Sequence, residues 1–421
     1  MTGSTTTATV CVAGCGPAGA VLGLLLARAG VEVVVLEKHA DFLRDFRGDT
    51  VHPSTLDVLD ELGLIDRFLA LPHHKVSTVG FVRDGRRLDV ADFSTLGLRY
   101  PYIAFVPQWD LLHLLTSEAA RYPHFRLLLQ AEAHDVVRQD GRVTGVRFRD
   151  PDGEHEVRAQ LTVAADGRHS AVRRASGLRP REFGAPMDVL QFRISRRDTD
   201  PDEGYHLRMG AGKSVAVINR GAYWNIAYMI RKGGHDDLRR AGIQTLRDDV
   251  ASLVGFLADR VGEVTGFDDT RFLEVRLDRL RRWHAPGLLL IGDAAHAMSP
   301  IAGVGINLAV QDAVAAANLL TRHLRRAQAK GEPVPERATA AVQRRRWAPT
   351  VATQALQRTA QRFGIDRALR RQAEPPDFSA IARLPFVRSL MSRLLGVGVR
   401  PEHVRVLPMS PRGQSVEEQG R

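Results

Sequence analysis

An α/β fold is predicted by three observations: a parallel sheet, a β-rich insertion and closing C-terminal helices. The chain opens with a strand, a glycine-rich turn, an apolar helix and a second strand. The order strand, glycine-rich loop, helix returns near residue 290. Between them, residues 187–231 alternate polar and apolar as antiparallel strands do.

Taken in order, residues 8–15 are short, β-branched and apolar, as in a buried parallel strand. Residues 17–29 form an apolar helix stopped by Gly30, and Val31 to Leu36 is the second strand, closing a βαβ unit. Residues 54–70 have helical spacing behind Ser54, a candidate N-cap. Residues 76–106 read as a β-ribbon and Gln108 to Arg121 as a helix. Residues 125–149 carry strand patterns broken by the hairpin signal Asp140-Gly141. Leu161 to Ala165 is a short strand. Residues 243–261 are helical, Leu288 to Ile291 is a buried strand, and residues 306–328 and 336–372 are helices. A last amphipathic helix is expected over 378–395. It sets Leu384, Phe386 and Leu390 among Arg383, Arg388 and Arg393, with Pro385 as an interruption, and its apolar stripe is expected to pack on the first domain.

The chain has 421 residues, 44 % apolar and 25 % charged, so it can bury a large core. Cys11 and Cys15 are the only cysteines, which excludes a four-thiolate zinc site and argues against a secreted disulfide scaffold. No metal is expected. There is no run of 18 apolar residues and no signal-like N-terminus, so a cytoplasmic protein without stable membrane insertion is expected. The net charge is +11, but only five of the 59 basic residues are lysine, and the arginines are scattered. No nucleic-acid module is present. The sequence assigns no oligomeric state.

Gly14-Cys15-Gly16-Pro17-Ala18-Gly19 is G-x-G-x-x-G between strand and helix, and Glu37 follows 18 residues after Gly19 at the end of the second strand. Gly14 allows the tight turn, Gly16 lets backbone approach a pyrophosphate, and Gly19 lets helix pack on strand. The helix N-terminus offers N–H donors to phosphate, and Glu37 accepts from a ribose diol. The second motif is Gly292-Asp293-Ala294-Ala295-His296, followed by Pro300, Gly303, Gly305, Ile306 and Asn307. Asp293 can accept from a sugar hydroxyl. The loop from Gly303 opens a long helix, whose N–H groups suit the negative charge of a reduced flavin. One dinucleotide held at two places is the reading: AMP half at Gly14–Glu37, flavin half at the second motif.

With Asp166-Gly167-Arg168-His169-Ser170-Ala171-Val172-Arg173 between them, these motifs make residues 8–325 resemble the class A FAD-dependent aromatic hydroxylases, the para-hydroxybenzoate hydroxylase-like monooxygenases. The resemblance implies a Rossmann-like FAD-binding domain with an inserted mixed β-sheet substrate domain and C-terminal helices. The expected parts are 1–75, 107–180 and 285–330 for FAD, with 76–106 a ribbon on the substrate side. Residues 181–284 are the substrate domain, 331–400 the helices and 401–421 a tail. It implies an enzyme that uses NADH or NADPH, O₂ and FAD to hydroxylate an aromatic or polyketide-like small molecule through a flavin C4a-hydroperoxide. The arginine-rich composition suggests natural-product chemistry. In such an enzyme Lys38, Arg47, Gln108 and Asp166 join the FAD contacts, and Gly48 to Thr50 run beside the flavin. Arg47 and His52 are the expected catalytic side chains, His52 as the base toward a phenol, with His206 and Tyr223 as other candidates. His296 is expected to be structural.

Substrate contacts are expected from Thr50, Gln191, His206, Arg208, Tyr223 and Asn225. Tyr205 and Tyr228 also alternate in these strands, and periodicity leaves open which face meets the flavin. The chain lacks a second nucleotide-binding G-x-G-x-x-G unit, a redox cysteine pair and the W-x-W-x-I-P segment of flavin halogenases. Epoxidation, Baeyer–Villiger-type oxidation or dehydrogenation on the same fold is the enzyme alternative. A non-catalytic flavin-binding protein is the other, and the intact Gly303, Gly305 and Asn307 argue against it.

Overall fold

The computed structural model describes residues 4–43, 49–83, 85–201, 205–210, 212–370 and 384–406. Arg47 and Gly48 lie outside them.

Strand Thr5–Ala13 is the centre of a parallel core. Val33–Leu36 and then Phe125–Leu128 lie on one side of it, Gly153–Ala164 and then Leu288–Leu290 on the other. Val10, Val12, Leu161 and Leu289 are all at most 1 % exposed, which explains the unbroken apolar runs. Helices Pro17–Arg28 and Gly305–Lys330 cover this sheet and share its largest apolar core. By length and composition the second could cross a membrane, but its apolar window is 78 % buried among core elements. The hairpin joining Glu132–Gln139 to Arg142–Asp150 turns at Asp140 and Gly141, both with positive φ (49° and 75°).

A second sheet holds Arg271–Leu273, Met187–Ser195, Tyr223–Arg231, Lys213–Asn219 and Tyr205–Gly210 in that order, and continues into Thr78–Arg83 and Arg86–Asp92. The early ribbon thus supplies two strands, Thr78–Arg83 running parallel to Tyr205–Gly210. Helix Ile243–Leu253 packs on one face through Leu246 and Val250 against Val215, Val217 and Ile226. The other face, with Val189, Ala216, Ala227 and Met229, turns toward the first domain.

Several expected boundaries change. Residues 54–70 form two helices, Pro53–Glu61 and Ile65–Leu69, separated at Gly63 with φ 72°. The short strand expected at 161–165 is the end of the twelve-residue Gly153–Ala164. Helix Glu336–Ala360 passes into a π-helical turn, Gln361–Ile365. The last helix is Pro385–Gly396. Pro385 occupies its first turn, where the missing N–H costs nothing, rather than interrupting it. This helix packs on the edge of the second sheet: the Asp92 N–H donates to Ser392 Oγ (2.8 Å) and Gly396 lies against the Phe93 ring. Leu395 is buried there, whereas Phe386 and Leu390 remain exposed.

Candidate active site

The G-x-G-x-x-G turn is built by close approach. A Cβ on Gly19 would sit 1.9 Å from the Gly14 carbonyl oxygen, and one on Gly14 (φ 97°) would sit 2.5 Å from that of Ala165. Those contacts bind the helix to the ends of two neighbouring strands. Gly16 differs, because nothing lies within 4 Å of its Cβ position. The helix beginning at Pro17 has no side-chain cap and no acidic residue in its first turn, so its N–H groups are left for an anion. Glu37 is buried and accepts from the Cys15 and His39 N–H groups, both at 3.1 Å, which holds its carboxylate at the lip of this turn.

The second motif is anchored from behind. Gly292 (φ 57°) is flanked by the methyls of Ala18 and Ala309, each 3.3 Å from its Cβ position, so both helices meet at this strand end. Its N–H donates to Asp312 Oδ2 (3.0 Å). The same carboxylate meets His296 Nε2 (2.6 Å) and Arg346 Nε (3.1 Å). Burial alone would raise the Asp312 carboxyl, but His296 and Arg346 hold it below the ordinary range. His296 thus sits in a buried cluster with Asp312 and Arg346 and does not line the cavity described below.

The Asp166–Arg173 segment ties the two motifs together. Arg173 donates to the carbonyls of Arg168 (2.6 Å) and Ala294 (3.0 Å), and Arg168 reaches Asp293 at 3.4 Å. Asp166 Oδ2 accepts from the Val172 N–H (3.2 Å), while Oδ1 is buried without a protein partner. Burial raises this carboxyl, opposed by the Ser170 hydroxyl and the Val172 N–H.

The loop before the long helix carries two consecutive left-handed residues, Ala302 (φ 63°) and Gly303 (φ 64°). Thr50 Oγ1 donates to the Gly303 carbonyl at 2.7 Å, and a Cβ on Gly303 would collide with it at 2.3 Å. Three glutamines on one face of helix Glu336–Ala360 and its π turn hold this loop from outside. Gln354 Nε2 donates to the carbonyls of Asp278 (2.7 Å) and Ala297 (3.2 Å). Gln357 donates to those of Ser299 (2.9 Å) and Ile301 (3.0 Å) and accepts from the Ser299 N–H (3.1 Å). Gln361 donates to Ser299 Oγ (2.8 Å). The sequence reading missed these three residues; their spacing of three and four along a helix was the available signal.

These pieces surround one cavity of about 530 Å³. Of the expected cofactor residues, Gly14, Gly16, Pro17, Ala18, Glu37, Lys38, Gln108, Asp166, Asp293, Pro300, Gly303, Gly305 and Ile306 line it. Gly19 stands behind the turn. Asn307 does not face the cavity: its Oδ1 accepts from the hydroxyls of Ser54 (2.8 Å) and Thr55 (2.7 Å), pinning helix Pro53–Glu61.

On the substrate side, Thr50 and Gln191 line the cavity, with Val189, Tyr205, Ala227 and Met229. His206 and Arg208 point the other way, one strand position out of phase with Tyr205. His206 Nε2 meets Asp89 (2.8 Å), and the Arg208 guanidinium lies 5.6 Å from the Phe256 ring. Tyr228 is also on that back face, bonded to Asp249. Tyr223 stacks under Arg193 at 4.6 Å, and Asn225 is buried behind Asp49, so neither lines the cavity. His52 is fully buried outside it. Its Nδ1 donates to the Leu395 carbonyl (2.8 Å), and burial lowers the imidazole to about 4, which corrects its assignment as the base.

The residues present fit an FAD. One uncapped helix end with open space over Gly16 suits a pyrophosphate, Glu37 suits a ribose, the unpartnered Asp166 oxygen awaits a donor, and a second helix end opens at Gly305. Comparison with known proteins agrees. Residues 7–350 match a family model described as an FAD binding domain. The chain is 31 % identical over 390 residues to 6-methylpretetramide 4-monooxygenase of Streptomyces rimosus, covering 91 % of each chain. It is 30 % identical to 12-dehydrotetracycline 5-monooxygenase/anhydrotetracycline 6-monooxygenase of the same species, over 72 % of this chain and 61 % of that longer protein. The crystal structure of PqsL from Pseudomonas aeruginosa with 2-aminobenzoylacetate superposes with a TM-score of 0.72 at 23 % identity, covering 87 % of this chain and 98 % of that one. The chain belongs to the FAD-binding family of class A flavin-dependent aromatic monooxygenases.

Proposed function

We propose that this enzyme hydroxylates a polycyclic aromatic, polyketide-like phenol, with NADH or NADPH as reductant and O₂ as oxidant. The observation that carries this reading is the single cavity: one end is the dinucleotide cradle, and the other is an apolar wall of Val189, Ala227, Met229 and Leu273. The relative covering 91 % of this chain, named for a pretetramide substrate, supports the substrate class.

FAD, when bound, supplies reduction of O₂ and transfer of one oxygen atom. The chain's own residues orient and enclose. The two uncapped helix ends, at Pro17 and Gly305, stabilise negative charge on the cofactor side of the cavity. The apolar wall excludes water from the flat face of a ring. Tyr205 lines the cavity with its ring 5.6 Å from that of Phe105; burial pushes its hydroxyl up to about 12, so it keeps its proton and serves as a donor to a substrate oxygen. Gln191 offers an amide on the same wall.

The test is a panel of polycyclic phenols with the FAD-loaded protein. Some members should stimulate NAD(P)H oxidation with matching O₂ uptake and give a product one oxygen atom heavier. Stimulated NAD(P)H oxidation without an oxygenated product from any member would contradict the proposal.

A further inference from the structure

We propose that Arg181, Arg279 and Arg358 form a second anion site, separate from the cavity, that takes a phosphate-bearing ligand. None of the three lines the cavity.

The site is built on a two-stranded ribbon. Strand Pro180–Glu182 pairs antiparallel with Asp278–Leu280, and the register sets Arg181 directly opposite Arg279. Like charges at such a position repel. Alternation turns their neighbours Glu182 and Asp278 to the other face. Asp278 is buried there, 3.8 Å from Arg173. The third guanidinium comes from helix Glu336–Ala360. Arg181, Arg279 and Arg358 lie 5.4, 5.1 and 5.0 Å from the centroid of one ring, that of Phe183. Exposed arginines elsewhere, such as Arg67, Arg149 and Arg197, have carboxylate partners. Among the described residues none of the three around Phe183 has one.

The site is also pre-shaped. Arg279 stacks on Phe183 and on Trp347, 4.7 Å from the latter ring, and donates to Gln354 Oε1 (2.7 Å). Gln354 is fixed in turn by the Asp278 and Ala297 carbonyls. Trp347, Gln354 and Arg358 follow one another at spacings of seven and four, so one face of the helix closes the site. Burial and the charges of Arg181 and Arg358 hold the Arg279 guanidinium below its ordinary range. A ligand with several negative oxygens relieves that repulsion and meets the planar forks of more than one arginine. Phosphate has this chemistry, whereas a carboxylate is matched by a single arginine. Arg181 and Arg358 are exposed, so the ligand enters directly from solvent.

The test uses the FAD-loaded full chain, whose own pyrophosphate cradle is filled, at neutral pH and fixed ionic strength. Inorganic pyrophosphate should raise the melting temperature of wild type saturably, and acetate should not. Arg181→Gln combined with Arg358→Gln should keep FAD and weaken pyrophosphate at least about tenfold, the scale of lost charge-assisted hydrogen bonds. Arg138→Gln combined with Arg240→Gln, two exposed arginines elsewhere, should leave pyrophosphate affinity unchanged. No saturable effect on wild type, an unchanged affinity in the first pair, or an equal loss in the second pair overturns the proposal. Competition assigns the source of the phosphate. A nucleotide supplies it if NADPH or NADH displaces pyrophosphate, and a free phosphate does if neither displaces it.

Discussion

At the scale of single residues, the glycines of the first turn do two separable jobs. Gly19 is needed by the fold, because any Cβ would overlap the Gly14 carbonyl. Gly16 is the position proposed for the ligand. Its φ of −72° suits any residue and its Cβ position is open, so Gly16→Ala should leave the melting temperature of the FAD-free protein within a degree or two of wild type. The same change should weaken FAD by at least about tenfold, or 1.4 kcal/mol, by filling the pyrophosphate's space. Equal FAD affinity by titration would remove Gly16 from the cradle. His52 makes a different prediction. Its imidazole is neutral in the fold at about 4, well below the unfolded 6.5, so its contribution is full above 6.5 and is lost as pH falls toward 4. The shift corresponds to roughly 3 kcal/mol. The stability gap between wild type and His52→Gln, from urea melts, should therefore narrow across that window; a constant gap would show that His52 does not titrate there. The sequence made His52 look like a base because it follows the segment Gly48 to Thr50 expected beside the flavin, but the Pro53 helix start turns the ring onto Leu395, which local patterns do not reveal.

At the scale of elements, legibility follows the range of the constraint. The strand–turn–helix units were readable because positive φ and close backbone approach are local demands that glycine meets most readily. The faces of the second sheet were not: alternation along Tyr205–Gly210 defines two faces, and only the packing of Ile243–Leu253 decides that His206 and Arg208 are on the back while Tyr205 is inside. The glutamine-bearing helix Glu336–Ala360 escaped because it lies beyond the cofactor motifs yet bonds to their loop. Gln357→Leu would leave the Ser299 N–H and two carbonyls without partners, and should cost about 2 kcal/mol of stability. FAD should also be retained less well on gel filtration, because the 299–303 loop loses its outer support; unchanged stability and retention would show that the loop is held by Gln354 and Gln361 alone.

At the scale of the whole molecule, loops at the strand ends of the parallel core and residues of the second sheet line one cavity, and the last helix packs on the edge of that second sheet. The AMP cradle at Gly14–Glu37 demands a dinucleotide, so the purified protein should carry FAD and be stabilised by FAD far more than by FMN in thermal melts. Equal stabilisation by the two would mean that the first cradle is idle. The central claim is that the joined cavity delivers an oxygen atom from O₂ to an aromatic ring. It is tested most directly by turnover of an accepted phenol under ¹⁸O₂ in unlabelled water, with mass analysis of the product. The account predicts one ¹⁸O atom per product molecule for each NAD(P)H consumed; a product free of the label, formed while NAD(P)H or FAD changes redox state, would contradict it.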